Sequence, residues 1–127
     1  MNIPDNLKYS EEHEWVRTEG GDAVTGITDF AQHELTDIVF VELPAVGAEL
    51  QKGGAMAVVE SVKAVSDVYS PLTGTVAAVN SRLVDEPELV NNDPYGDGWM
   101  VRIKPAAPEE INELMSAGQY KQHINAE

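Results

Sequence analysis

Val58-Val59-Glu60-Ser61-Val62-Lys63-Ala64-Val65-Ser66-Asp67-Val68 is the stretch on which the fold turns. Two runs rich in valine meet near a single lysine, with a small alanine after it. β-Branched side chains suit a pleated, half-buried surface, so the two runs read as strands joined by a tight hairpin. A lysine at such a tip projects away from the body and is easy to modify. Position alone decides nothing, because most lysines are solvated surface charge.

Outward from this hairpin, glycine and proline punctuate the chain often, and the segments between them are short and rich in Val, Ile, Thr and aromatics. Strands are expected at Asp22–Thr28, Asp37–Leu43, Ala55–Glu60, Ala64–Ser70, Gly74–Asn80 and Trp99–Lys104. In Asp37–Leu43, Val39, Val41 and Leu43 alternate with Ile38 and Phe40, so both faces are apolar and the strand is expected at the centre of a sheet. In the last strand Val101 and Ile103 alternate with Arg102 and Lys104, as on a half-buried strand. Two Gly-centred turns, Val46-Gly47-Ala48-Glu49-Leu50 and Leu72-Thr73-Gly74-Thr75-Val76, flank the hairpin as a faint internal echo.

Helices are few. Asp29–Leu35 forms a short one on this reading, with Asp29 as cap and Gln32 three residues later. Pro108 followed by Glu109 and Glu110 marks a helix start, since proline's missing N–H is harmless there and acids suit the positive helix end. Ile111, Leu114 and Met115 make an apolar stripe that packs on the sheet, and Gly118 ends the helix. Many short strands with peripheral helices predict a mainly β barrel or sandwich.

The 127 residues favour one domain, 1–127, with one modest core. Acidic residues number 22 against 8 basic ones, a formal charge of −14. Polyanion binding needs clustered Lys and Arg, so neither nucleic acid nor an anionic membrane is an expected partner. Acidity of this size serves solubility, steering of partners, or both. No cysteine is present, which excludes disulfides, thiolate metal sites and thiol nucleophiles. Any redox or acyl chemistry therefore needs a bound group to supply the sulfur. The start, Met1-Asn2-Ile3-Pro4-Asp5, reads neither as a signal peptide nor as a transit sequence. A bacterial cytoplasmic location is expected, and a mitochondrial one only if a transit peptide has been removed.

Glu60-Ser61-Val62-Lys63-Ala64 followed by Ser66-Asp67 resembles the lipoyl-attachment segment of the glycine cleavage H proteins. Leu7-Lys8-Tyr9 and Glu12-His13-Glu14-Trp15-Val16 are similar to that family's amino-terminal segment. Gly26-Ile27-Thr28-Asp29 with Ala31-Gln32, Val39-Phe40-Val41-Glu42-Leu43-Pro44, Ser70-Pro71 through Gly74, Asn80, Glu88-Leu89-Val90-Asn91, Pro94-Tyr95 and Gly98-Trp99 follow in the family's order. The resemblance runs from about Leu7 to the final helix. No single motif is decisive, but the ordered set is specific.

The resemblance implies a barrel-sandwich hybrid with hairpin 55–70 bearing the modified lysine. It implies a carrier rather than an enzyme, with lipoate joined to Lys63 through an amide by a lipoate-attaching enzyme. The arm would accept an aminomethyl group at a pyridoxal-phosphate-dependent glycine decarboxylase and pass it to an aminomethyltransferase. Dihydrolipoyl dehydrogenase would then reoxidise it. In the family the loaded arm folds into a cleft on the body; carried over by position, Glu14 and Asp67, with Glu12 in support, would hold its amine. Phe30 stands where the family often has histidine, and Thr36 where it commonly has glycine.

His13 and His33 with Glu14 and Glu34 invite a metal reading, but sequence neighbours on a strand point to opposite faces and two lone histidines are a weak ligand set. No metal is expected. Asn91–Gly98 lacks the ligand spacing of a calcium loop and reads as a turn. The rival readings are the lipoyl domain of a 2-oxo acid dehydrogenase complex and a lipoate-relay carrier. The former lacks the amino-terminal segment and the carboxy-terminal helix. A biotin carrier would have methionines where Val62 and Ala64 stand. An acyl carrier protein would need a serine at a helix start in an all-helical chain.

Overall fold

Two antiparallel sheets carry the fold in a computed structural model, which describes residues 1–125; Ala126 and Glu127, the end of the expected domain, lie outside the described residues. In chain order the strands are β1 (Lys8–Tyr9), β2 (Glu14–Glu19), β3 (Asp22–Ile27), β4 (Ile38–Glu42) and β5 (Glu49–Leu50). They continue with β6 (Ala55–Ser61), β7 (Val65–Tyr69), β8 (Gly74–Val79) and β9 (Val101–Pro105). The helices are α1 (Asp29–Leu35), α2 (Arg82–Asp85), α3 (Leu89–Asn92) and α4 (Ala117–Asn125), with a 3₁₀ helix at Pro108–Glu113.

The larger sheet runs β1-β2-β3-β9-β8-β5 and the smaller β4-β6-β7. Val41, Val59 and Val68 of the smaller sheet share one buried cluster with Val76, Val101 and Ile103 of the larger. Two sheets thus enclose one apolar core without closing into a continuous barrel, the barrel-sandwich arrangement expected. A second cluster joins Tyr9, Trp15 and Val24 to Tyr120 of α4. Burial of these side chains, at roughly 25 cal/mol per Å² of apolar surface, is what fixes the carboxy-terminal helix to the sheet. Gly20 and Gly21, at φ 56° and 90°, make the two-residue turn between β2 and β3, where both positions of a primed turn need positive φ.

Four local expectations are corrected. β4 lies at a sheet edge, not at the centre: a register shift between Ile38 and Phe40 turns Ile38 and Val41 inward and leaves Val39 and Phe40 exposed. The cap of α1 is Thr28, whose hydroxyl accepts the Ala31 N–H at 3.2 Å, while Asp29 opens the first turn. Pro108 starts only a 3₁₀ segment, because Leu114 is extended and Met115 exchanges two backbone bonds with Tyr9 at 2.9 and 2.8 Å. Gly118 lies inside α4, which begins where the expected helix was to end. The strand at Glu14–Glu19 had not been anticipated from propensity; its burial comes from pairing with β3 along its whole length.

Candidate functional site

The β6–β7 hairpin places Val62 and Lys63 at its tip, and neither has positive φ. A two-residue hairpin of this kind lacks the primed turn that matches strand twist, and Ser61 compensates. Its Oγ accepts from the backbone N–H groups of Lys63 and Ala64 at 3.1 and 3.0 Å, and its own N–H donates to the Ala64 carbonyl at 2.8 Å. Lys63 is exposed, with exposed Val62 and Val65 beside it. Its ammonium donates to the carbonyl of Glu34 at 3.0 Å, at the negative end of α1.

Glu34 also lines a cleft of about 630 Å³ walled by α1, β7 and the turn before β2. Ile27, Leu35 and Val59 give that cleft an apolar side, and Glu12, Glu14 and Asp67 are among its acidic lining residues. The three carboxylates singled out from the sequence thus meet at one cavity, whose rim Lys63 touches through Glu34. Their settings differ. Glu12 and Asp67 are exposed, and Asp67 pairs across the strand with Val58. Glu14 is 2% exposed.

Its carboxylate accepts a hydrogen bond from the Ser10 hydroxyl and one from the Tyr69 N–H at 3.3 Å. Burial pushes the Glu14 pKa up to about 8; the two hydrogen bonds oppose that rise and the charge of Glu12 adds to it. Burial therefore favours the neutral acid at this part of the cleft lining.

Sequence reasoning missed three contributors. Phe30 and Glu34 line the cleft with Ala31 and Leu35, the one-face spacing of a short helix, and that spacing could have revealed them. His13 also lines it, at φ 72°, with its ring 4.8 Å from that of Phe30. Instead of polar chemistry, Phe30 supplies an aromatic face. His13 sits in a turn before β2 rather than on an extended strand. Among the described residues no group of three His, Cys, Asp or Glu is placed to hold a metal ion. The turn expected over Asn91–Gly98 is shorter than that, because Asn91 and Asn92 complete α3; Asn91 accepts from the Ile38 N–H and donates to Gln32 and to the Thr36 carbonyl.

An exposed primary amine beside a half-apolar, half-acidic cleft suits one task. It can carry a flexible covalent group and house that group's far end when the end is cationic. Among the described residues no helix is long and apolar enough to cross a membrane.

Comparison with known proteins identifies the family. Residues 7–127 match the family model described as glycine cleavage H-protein. A probable glycine cleavage system H protein of Haloarcula marismortui is 56% identical over 124 residues, covering 98% of both chains. The glycine cleavage system H protein of Bacillus cereus is 53% identical over 125 residues, again covering 98% of each. A crystal structure of a glycine cleavage system H protein from Mycobacterium marinum superposes with a TM-score of 0.89 at 37% identity, covering 97% of this chain and 99% of that one. Identity of this extent over the whole described fold places the chain in the glycine cleavage H-protein family.

Proposed function

We propose that the protein is a single-domain, non-catalytic carrier of the glycine cleavage system, with lipoate attached through an amide to Lys63. The observation that carries this reading is the placement of an exposed lysine at a hydrogen-bonded hairpin tip, in contact with the rim of an acid-lined cleft. A lipoyl group fits the residues present: Lys63 offers the amine, Ile27, Leu35 and Val59 suit an aliphatic chain, and the carboxylates suit a cationic end. When attached, lipoate supplies the sulfur pair that takes up the aminomethyl cargo and that a cysteine-free chain lacks.

The chain's own residues then orient and protect. Ser61 holds the backbone of the tip on which Lys63 stands exposed. Glu14 and Asp67, with Glu12, hold the amine of the cargo against the body, where exclusion of water strengthens the ion pair and slows hydrolysis. The partners on this reading are the pyridoxal-phosphate-dependent glycine decarboxylase, the aminomethyltransferase, dihydrolipoyl dehydrogenase and a lipoate-attaching enzyme, met in the bacterial cytoplasm. A tethered arm raises the local concentration of cargo at each of their active sites.

Peptide mass spectrometry on protein made in a lipoylating host tests the assignment. The adduct is expected on Lys63 alone; an adduct on Lys52 or Lys104 with Lys63 unmodified refutes it. Lys63→Arg should change stability by less than about 0.5 kcal/mol, since the site is exposed. It should abolish glycine-dependent CO₂ exchange with the decarboxylase, because arginine cannot form the amide.

A further inference from the structure

We propose that Tyr120 is a positioning residue for the arm cleft: its buried hydroxyl ties the His13 ring to the Thr28 cap of α1, and so fixes how the turn carrying His13 sits against that helix. The inference rests on the cleft's being the arm's docking site, as proposed above. Tyr120 lies on α4, is 0% exposed and is not itself a lining residue. Its hydroxyl stands 2.8 Å from His13 Nδ1 and 2.7 Å from Thr28 Oγ1. Those two partners adjoin at the end of the β2–β3 ladder, where the Thr28 N–H donates to the His13 carbonyl at 3.0 Å. His13 lines the cleft between Glu12 and Glu14, and Thr28 caps the helix that brings Phe30 and Glu34 to it.

The rest of α4 grips the same segment. The Tyr120 ring stacks on Tyr9 with centroids 4.6 Å apart and planes 7° from parallel. His123 Nε2 lies 3.0 Å from the Glu11 carbonyl oxygen. Residues 9–13 are thereby held from behind at three points, just before Glu14 turns into the cleft. Such restraint suits His13, whose φ of 72° is uncommon for a residue with a side chain, although histidine tolerates it better than most. A buried tyrosine hydroxyl normally finds one partner; here it finds two that belong to separate elements. The two contacts are compatible with either tautomer of His13, since the hydroxyl can donate to one neighbour and accept from the other.

Phenylalanine at position 120 keeps the stack and the volume and deletes both contacts, which makes Tyr120→Phe the informative variant. Two measurements are needed. In unlipoylated protein, hydrogen exchange at the Thr28 amide, which donates to the His13 carbonyl at 3.0 Å, should quicken by about threefold or more. In lipoylated protein carrying cargo, release of formaldehyde and ammonia without the transferase should quicken about three- to tenfold. Val76→Ala on β8, outside the cleft, serves as the destabilised control and, compared at equal global stability, should alter neither rate to that extent. Unchanged exchange at Thr28, or equal acceleration in Val76→Ala, overturns the proposal. So does unchanged release in Tyr120→Phe when Glu14→Gln accelerates it. If Glu14→Gln also leaves release unchanged, the docking-cleft reading falls, and the exchange result alone decides whether Tyr120 sets this geometry.

Discussion

A carboxyl that holds its proton to about pH 8 makes stability depend on pH in a defined window. Glu14 titrates higher folded than its ordinary value of 4.5, so between those two pH values the native state binds more proton than the unfolded chain. Its contribution is therefore complete below about 4.5 and is lost as pH rises towards 8. Glu14→Gln lacks this dependence. The unfolding free energy of the wild type, measured in urea, should fall relative to that variant from pH 5 to 8, by about 1 kcal/mol per pH unit at most, then run level. Parallel curves would show that Glu14 ionises freely. A cation entering the cleft favours the carboxylate and draws the proton off, so the burial that costs stability also prepares the site for a charged cargo. The sequence singled out Lys63, Glu14 and Asp67 through their motifs, and the fold brings Glu14 and Asp67 to one cleft. The burial that makes Glu14 unlike Glu12 was not, because it depends on Tyr69 and Ser10 closing over it from separate segments.

Elements were legible where hydrophobic alternation spoke and illegible where long-range pairing overrode local preference. The central hairpin and β9 stand close to their expected bounds because valine and isoleucine alternate or cluster there. The carboxy-terminal helix was misplaced, although its signal was present. Ser116 and Gln119 form a reciprocal cap, with the Gln119 N–H on Ser116 Oγ at 3.3 Å and the Ser116 N–H on Gln119 Oε1 at 2.9 Å. The Pro108 signal competed with it and was weaker in effect, because Met115 is drawn into pairing with Tyr9, 106 residues away in sequence order by number. Thr36 gives the opposite case, where the sequence pointed to a glycine position and the backbone kept it. It ends α1 at φ 65° and ψ −151°, a region that side chains strain to occupy. Thr36→Gly relieves that strain at the cost of unfolded-state entropy, and a net gain of about 1 kcal/mol is expected from urea unfolding. A loss would mean that Thr36 makes a contact worth more than its strain.

At the scale of the whole molecule, charge is the property that geometry leaves unspent. Among the described residues Arg17, Arg82, Arg102 and Lys52 each lie within an ion pair to Glu or Asp, so much of the scarce positive charge is matched locally. Acylation of Lys63 would remove one more positive charge, taking −14 to −15. A field of that sign reaches beyond contact distance at low ionic strength and is screened within about 8 Å at physiological salt. If the acidity steers partners, their association rate should fall about tenfold or more between roughly 20 and 500 mM NaCl, while dissociation changes less. Stopped-flow binding of the aminomethyltransferase would measure both. Lys63→Arg should show the same salt dependence, because the field belongs to the body and not to the arm. A flat association rate in both proteins would assign the acidity to solubility alone, and would require the arm to find its partners by diffusion of an unsteered carrier.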